Sequence, residues 1–231
     1  MNAGEPISRL ASVPFRYGSV SLELQAAVDL DRLVTDDTDP DRLPYWAVLW
    51  ESARGLARWL IDRGGWPGLP VLELGCGLGL PGLAAAALGA RVTQTDLFLE
   101  AVVAARMHAQ SNGLPHTTQW VADWRAWDLP GRWPVILGSD ITYERSLHSA
   151  LLEVLERALE PGGAVYLSDP ARPMSLDFLA LAERNGWAVA IDTTPEDGAA
   201  PIFLYTLQHP CHTVQTDLWG IVDPSLRNAR L

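Results

Sequence analysis

The sequence predicts an α/β fold, a doubly wound and mostly parallel sheet with an N-terminal extension. Short apolar segments with the pattern of strands alternate with helical segments from residue 44 to residue 208, which favours parallel strands joined by helices. A glycine-rich turn follows the apolar segment 71–74, and acidic residues follow several later ones. Polar groups at the carboxyl ends of parallel strands are typical of a ligand-binding edge.

The N-terminal extension is predicted to form a strand or hairpin followed by a solvated connection. Val20, Leu22 and Leu24 alternate with polar residues, which is the period of a half-buried strand. The stretch 29–44 is rich in aspartate and contains two prolines, so it indicates an exposed connection.

The next segment is predicted to be a helix, because apolar residues recur every three or four positions from Pro44 to Ile61 before Gly64 and Gly65 end the pattern. Further helices are predicted at 81–88, 97–111, 146–159 and 174–185. Strands are predicted at 71–74, 91–95, 118–122, 135–137, 164–167, 187–191 and 202–208.

The pattern divides the chain into three parts. We assign residues 1–43 to the extension, 44–210 to one domain and 211–231 to a tail that lacks hydrophobic periodicity. A length of 231 residues is consistent with a single domain of this class.

Composition excludes several classes of protein. The 28 acidic and 17 basic residues give a net charge of -11, and every basic residue is arginine because the chain contains no lysine. Such a charge disfavours binding to nucleic acid phosphates. Cys76 and Cys211 lack the spacing of a metal site or a disulfide framework, and no segment has the length and apolarity of a membrane span. We expect a monomeric cytoplasmic protein without bound metal.

The segment Glu73–Gly79 follows a strand and reads E-x-G-x-G-x-G. Glycines at this spacing let a ligand approach the backbone, and the helix that follows directs its positive end toward that ligand. Residues 77–82 also match the dinucleotide fingerprint, with Asp96 downstream as a ribose contact. The Glu73 carboxylate favours a cationic ligand over a pyrophosphate, and a tight turn without any ligand is the third interpretation.

Five residues follow the ends of later strands. Asp96 is in position either to accept hydrogen bonds from ribose hydroxyls or to cap the next helix. Asp123 and Trp124 follow the next strand, and a core role is the alternative for the tryptophan. Asp140 and Tyr143 lie just past the fourth strand, where they either meet a substrate or cap a helix.

These motifs resemble those of methyltransferase family 16, the seven-strand protein lysine methyltransferases. The matching segments are P-Y-W-A-V-L-W-E-S-A at 44–53, E-L-G-C-G-L-G-L-P-G at 73–82, T-D at 95–96, D-W at 123–124 and G-S-D-I-T-Y-E at 138–144. The resemblance covers about residues 44–208 and implies a seven-stranded, Rossmann-like class I methyltransferase fold with S-adenosyl-L-methionine as cofactor. Glu51 departs from the pattern, since many members have proline there.

The resemblance also implies a role for individual residues. The implied cofactor-binding residues are Trp50, Glu73, Gly75, Cys76, Gly77, Asp96, Asp123, Trp124 and Ser139. The implied catalytic residues, which would face the methyl acceptor, are Asp140 and Tyr143. The stretch S-D-P-A-R-P at 168–173 is similar to one in the electron transfer flavoprotein β-subunit methyltransferases, although a strand-ending turn is its other interpretation.

The function implied is N-methylation of lysine in a partner protein. Asp140 would bind the incoming ammonium, and Tyr143 would orient it and exclude water. An acidic enzyme attracts a basic, lysine-bearing partner. A small-molecule amine N-methyltransferase and a non-catalytic module that binds S-adenosylmethionine are the alternatives. A nicotinamide oxidoreductase is disfavoured, because its usual tyrosine-lysine pair requires a lysine that this chain lacks.

Overall fold

The structure, a computed structural model, describes residues 10–27, 44–194 and 201–209. The strands in these ranges are β1 (Leu10–Tyr17), β2 (Val20–Ala27), β3 (Pro70–Leu74), β4 (Arg91–Asp96), β5 (Thr117–Val121), β6 (Trp133–Ser139), β7 (Leu159–Asp169), β8 (Ala188–Thr194) and β9 (Ile202–Gln208). The α-helices are α1 (Glu51–Arg63), α2 (Leu80–Ala87), α3 (Leu99–Ser111), α4 (His148–Ala158) and α5 (Pro173–Arg184).

The main sheet has seven strands in the order β5-β4-β3-β6-β7-β9-β8. Strands β3 to β7 pair in parallel, and β9 lies antiparallel between β7 and β8. The chain runs outward from β3 to β5 and then crosses back to β6 beside β3, so the strand order reverses between β3 and β6. Open α/β sheets bind ligands at such a point, outside the carboxyl ends of the strands. The predicted fold class is confirmed.

Helices cover both faces of the sheet. Leu74 of β3 is buried in one core with Leu155 of α4 and Phe178 of α5. Val71, on the opposite face of the same strand, is buried with Leu56 of α1. No helix within the described ranges has both the length and the apolar character needed to cross a membrane.

Strands β1 and β2 form an antiparallel hairpin outside the main sheet, with Tyr17 opposite Val20 at the turn. Leu24 of the hairpin is buried in one cluster with Leu83 of α2, so the extension and the domain share a core. The tail and most of the aspartate-rich connection lie outside the described residues. The three-part division of the chain therefore stays a prediction.

The first helix begins later than the hydrophobic period predicted. Tyr45–Ala47 form a 3-10 turn, Trp50 has an extended backbone, and α1 starts at Glu51. Trp46 and Leu49 fit the helical period but pack, partly buried, against the hairpin core. Their periodicity therefore marked burial against a cluster that the hairpin shares with α1 and α2, and not a continuous helix.

Strand β7 is longer than predicted, because residues 161–163 lie inside it and do not end a helix. Its pairing with β6 shifts register between Trp133 and Val135. A Cβ on Gly163 would lie 2.7 Å from the carbonyl oxygen of Pro134, so only glycine allows the strands to approach at this irregularity.

Candidate active site

A glycine loop fills the gap between Leu74, where β3 ends, and Leu80, where α2 begins. Gly75, Gly77 and Gly79 have φ angles of 60°, 50° and 85°, a region that L side chains rarely adopt. The loop therefore turns sharply at the carboxyl edge of the sheet, beside the point where the strand order reverses.

The loop also contacts the segment that follows β6. A Cβ on Gly75 would lie 2.7 Å from Cγ2 of Ile141 and 3.6 Å from Cζ2 of Trp124. Ile141 directly follows Asp140. The contact between Gly75 and Ile141 therefore brings the glycine loop, predicted to bind the cofactor, next to Asp140, predicted to face the methyl acceptor.

Asp96 fixes the loop from the end of β4. One carboxylate oxygen accepts the Gly77 backbone N–H at 2.9 Å, and the other accepts the Phe98 N–H at 3.0 Å. Burial raises the pKa of Asp96, and these backbone hydrogen bonds oppose the rise. Each carboxylate oxygen retains a lone pair, so Asp96 can position the loop and still accept ribose hydroxyls.

Glu73 lies beneath α2, where it is 1% exposed. Gln94 Nε2 donates to Glu73 Oε2 at 2.7 Å and to the Gly79 carbonyl at 3.0 Å, so the carboxyl group helps to hold the loop. Burial raises the pKa of Glu73 to about 7. This placement differs from the direct cofactor contact that the sequence predicted and indicates a role in supporting the loop.

Cys76 is buried and is tied to β4, because its backbone N–H donates to the Thr95 carbonyl at 2.9 Å. Burial raises the pKa of the Cys76 thiol well above its usual value, and the nearby carboxyl groups of Asp96 and Glu73 raise it further. The thiol is therefore a buried packing group and not a reactive nucleophile.

Asp123 and Trp124 follow β5 on the other side of the loop. Asp123 caps a short 3-10 turn by accepting the Arg125 backbone N–H at 2.9 Å, and it forms an ion pair with the Arg125 guanidinium at 2.8 Å. Hydrogen bonds from Arg125 hold the pKa of Asp123 below its usual value. Trp124 is partly buried against the main core, so its ring both packs and borders the glycine loop.

The predicted acceptor side begins where β6 ends. Ser139 pairs with Ser168 of β7, and the Asp140 backbone N–H donates to the Ser168 carbonyl at 2.9 Å. Asp140 has a φ of 56°, a left-handed conformation that aspartate tolerates better than most residues. Such backbone strain is often retained at functional sites.

The Asp140 carboxylate is held from two directions. Its Oδ2 accepts a hydrogen bond from Ser52 Oγ in the first turn of α1, and its Oδ1 accepts one from Arg172 Nη1. Arg172 Nη1 also lies 3.1 Å from Asp169 Oδ2. The side chain of Asp140 is 10% exposed and that of Arg172 is 31% exposed. The group predicted to bind an acceptor is thus nearly buried and already ion-paired.

Trp50 and Tyr143 lie at the rim. Trp50 directly precedes α1, and its indole N–H donates to the Tyr45 carbonyl at 3.0 Å. Tyr143 is 49% exposed and lies three residues after Asp140. Trp50 is partly buried, whereas the Tyr143 side chain is exposed to solvent.

Comparison with known proteins then decides the family. The model of the lysine methyltransferase family, methyltransferase family 16, matches residues 45–185. A protein N-lysine methyltransferase from Mus musculus, METTL21A, is 31% identical over 160 residues, which are 65% of this chain and 72% of that protein. The chain belongs to the lysine methyltransferase family.

Other relatives cover less of their own length. The electron transfer flavoprotein β-subunit lysine methyltransferase of Danio rerio is 33% identical over 135 residues, 56% of this chain and 51% of that protein. A ubiquinone biosynthesis O-methyltransferase of Pseudomonas aeruginosa is 31% identical over 111 residues, 48% of each protein. The chain thus spans about half the length of these two relatives.

Solved structures share the fold of this chain. The magnesium protoporphyrin IX methyltransferase of Synechocystis, crystallised with S-adenosylmethionine, has a TM-score of 0.56 at 20% identity and matches 77% of this chain and 88% of that one. A ribosomal protein L11 methylase from Lactobacillus delbrueckii has a TM-score of 0.55 at 26% identity and matches 69% of this chain and 79% of that one. The predicted family, fold and cofactor class are confirmed.

The polar groups around the glycine loop fit S-adenosylmethionine better than a dinucleotide. The backbone N–H groups of Cys76, Gly77 and Gly79 all donate within the protein, so they form no cradle for a pyrophosphate. The buried carboxylate of Asp96 accepts two backbone N–H groups and places negative potential beside the loop. Negative potential suits the sulfonium cation of S-adenosylmethionine. The Asp96 carboxylate also retains lone pairs that can accept hydrogen bonds from the ribose hydroxyls of this cofactor.

The methyltransferase fold brings most of the predicted site residues to one edge of the sheet. Glu73 is the exception, since its side chain lies under α2. Ser52 and Arg172 contact Asp140, and Asp169 contacts Arg172; these three residues had no predicted role at this site. The S-D-P-A-R-P stretch was the sequence signal for two of them, and its turn and its arginine serve the same site.

Proposed function

We propose that the protein transfers a methyl group from S-adenosylmethionine to the side-chain nitrogen of a lysine in a partner protein. The position of Asp140 carries this proposal. Its carboxylate lies at the carboxyl end of β6, directly before Ile141, whose side chain is the neighbour that a Cβ on Gly75 would strike. An acceptor bound to Asp140 would therefore lie next to the cofactor loop.

The chemistry required of the chain is mainly positioning. When bound, S-adenosylmethionine supplies an electrophilic methyl group on a sulfonium. A lysine ammonium has a pKa near 10.4, so its deprotonation at pH 7 costs roughly 4 to 5 kcal/mol. Asp140 binds the ammonium and directs it, and alignment of the neutral amine supplies most of the remaining rate enhancement. Tyr143, at the exposed rim, orients the acceptor and limits the entry of water.

The partner is proposed to be a basic protein. The chain has a net charge of -11 and no lysine of its own, so the acceptor must come from another molecule and an approaching basic segment is attracted. We further propose that the enzyme acts as a monomer in the cytoplasm and binds no nucleic acid. The unpaired, buried thiol of Cys76 supports a reducing compartment, and the acidic charge supports the lack of nucleic acid binding.

Methylation of a lysate from the host cell tests the function. The purified protein is incubated with radiolabelled S-adenosylmethionine and the lysate, and labelled bands are analysed for methyl-lysine. We expect wild type to label a protein on lysine and Asp140→Asn to lower that labelling roughly 100-fold, because the charge that holds the acceptor is lost. Asp177→Asn is the control, since Asp177 is an exposed carboxylate on α5.

Two outcomes contradict the proposal. Label confined to the small-molecule fraction would favour a small acceptor, the class of reaction named for the Pseudomonas relative. Cofactor binding in a calorimeter without any labelled product would favour a non-catalytic module. Equal labelling by wild type and Asp140→Asn would remove Asp140 from its proposed role.

A further inference from the structure

The Arg172 side chain contacts two aspartates, Asp140 and Asp169. Its Nη1 binds Oδ1 of Asp140 and lies 3.1 Å from Oδ2 of Asp169, so one cationic nitrogen bridges two carboxylates. The two carboxylates come from the ends of neighbouring strands, β6 and β7. The Asp169 side chain is 1% exposed and that of Asp140 10%, whereas 31% of the Arg172 side chain reaches solvent.

The local backbone builds this arrangement. Asp169 Oδ1 accepts the Arg172 backbone N–H at 2.7 Å, which closes a turn after β7. Ala171 has a φ of 62°, and Arg172 is the extended residue that precedes α5. The turn sends the chain back over the carboxyl edge, so the arginine side chain returns to Asp140 and does not follow the helix into solvent.

The guanidinium has the charge and the donors of the proposed acceptor. A lysine ammonium that binds Asp140 is likewise a cationic nitrogen with several N–H donors. Arginine stays protonated at any pH at which the enzyme works, so it fills such a position without offering a nucleophilic lone pair. A cation removed from between two carboxylates of low exposure must be replaced, because an unpaired buried charge is costly.

We propose that Arg172 fills the acceptor subsite when no substrate is bound and that the lysine ammonium enters by exchange with its guanidinium. Arg172 thereby determines specificity, since only a cationic acceptor can replace it between Asp140 and Asp169. This inference rests on the proposed lysine methylation and assigns to Asp169 the second carboxylate of that subsite.

The substitution Arg172→Lys tests the exchange directly, because the natural chain contains no lysine that could compete for the label. The variant is incubated with S-adenosylmethionine alone. After loss of a proton, the amine introduced at position 172 attacks the methyl carbon, an N–C bond forms, and the C–S bond breaks with its electron pair going to sulfur. The products are a methylated lysine, a released proton and S-adenosylhomocysteine. We expect an intact-mass increase of about one methyl group per chain, located by peptide mass spectrometry at position 172.

Matched variants exclude nonspecific methylation. Arg145→Lys also places a single lysine in an ion pair with an aspartate, Asp177, but on an exposed turn, and we expect no label there. Arg172→Lys combined with Asp140→Asn should lose at least nine-tenths of the label. Circular dichroism checks the fold of each variant, and the partial exposure of Arg172 favours retention of the fold.

A second measurement needs neither cofactor nor turnover. Arg172→Ala leaves the space between the two carboxylates open, so n-butylammonium, the analogue of a lysine side chain, should bind this variant at least tenfold more tightly than wild type. Calorimetry measures the affinity, and Asp140→Asn in the Arg172→Ala background should abolish the gain. Equal affinity for wild type and Arg172→Ala would overturn the exchange.

The outcomes separate this inference from the function on which it rests. If wild type labels a lysine of a lysate protein while a folded Arg172→Lys stays unlabelled, the exchange is wrong and the function stands. If wild type labels no protein, the function is wrong, and the binding of n-butylammonium to Arg172→Ala still decides whether Asp140 and Asp169 form an ammonium subsite.

Discussion

The carboxyl group of Glu73 makes stability depend on pH. Burial raises its pKa from 4.5 to about 7, so the folded protein holds a proton that the unfolded chain releases between these values. The free energy of unfolding therefore falls as pH rises from 4.5 to 7, because the folded state loses the advantage of binding this proton. Glu73→Gln introduces an amide that does not titrate, and we expect its unfolding free energy to gain about 2 kcal/mol on wild type between pH 5 and pH 7. Urea unfolding at pH 5, 6 and 7 measures the gain.

The control for this titration is Glu183→Gln, because Glu183 lies exposed on α5. It should leave the pH dependence of unfolding unchanged. Parallel curves for wild type and Glu73→Gln would show that the carboxyl group does not retain its proton in the folded protein.

Glu73 also illustrates how far a motif alone can predict a side chain. The E-x-G-x-G-x-G pattern located the glycine loop but not the direction of its first carboxylate. Side chains alternate along a strand, so Glu73 shares its face with Val71, and that face lies under α1 and α2. The direction of the Glu73 side chain could be assigned only once β3 was known to lie between helices on both faces of the sheet.

At the scale of elements, α3 joins the N-terminal hairpin to the glycine loop through His108. Its Nε2 accepts the Gln25 backbone N–H at 2.9 Å, so the proton of the neutral ring lies on Nδ1, which donates to the Leu78 carbonyl at 3.0 Å. Burial lowers the pKa of His108 below 6.5, so stability is lost as pH falls through and below that value. Protonation of His108 Nε2 would place its N–H against the Gln25 backbone N–H and break this hydrogen bond.

We therefore expect the amide hydrogens of the hairpin to exchange faster at pH 5 than at pH 6.5, after correction for intrinsic rates. In His108→Gln a side-chain oxygen replaces Nε2 and does not titrate, so the pH dependence should disappear. Mass spectrometry of peptides from 10–27 measures the exchange. Asn112→Ala removes a pair of hydrogen bonds to Glu23 and should accelerate exchange at every pH. A wild-type rate independent of pH would contradict the prediction.

Element order explains why the acceptor side was harder to predict than the cofactor side. The predicted cofactor residues follow strand ends whose motifs lie in local sequence, whereas Arg172 and Asp140 are 32 residues apart. They meet because β6 and β7 are neighbours in the sheet and both strands end at the same edge. Ser52 is more distant still and reaches Asp140 only because α1 packs beside β7. Such contacts depend on strand order and on helix placement.

At the scale of the whole molecule, the alternation of strands and helices was sufficient to predict the sheet, because parallel strands require crossovers and crossovers require helices. It was not sufficient to separate an α-helix from a 3-10 turn and the non-helical residues after it, as at Trp46 and Leu49. Hydrophobic period reports which residues are buried, and the cluster on which these two pack includes hairpin residues that lie outside the matched family region, 45–185.

The charge of the whole chain predicts how methylation responds to salt. A net charge of -11 attracts a basic partner over a distance that shrinks as ionic strength rises, since the Debye length is about 10 Å at 0.1 M salt. From 50 to 300 mM sodium chloride we expect the KM for the labelled lysate protein, once purified, to rise about fivefold with kcat unchanged. The KM for S-adenosylmethionine is the internal control and should change less than twofold, because its contacts are local. A partner KM that stays constant over this range would show that recognition does not depend on the acidic surface.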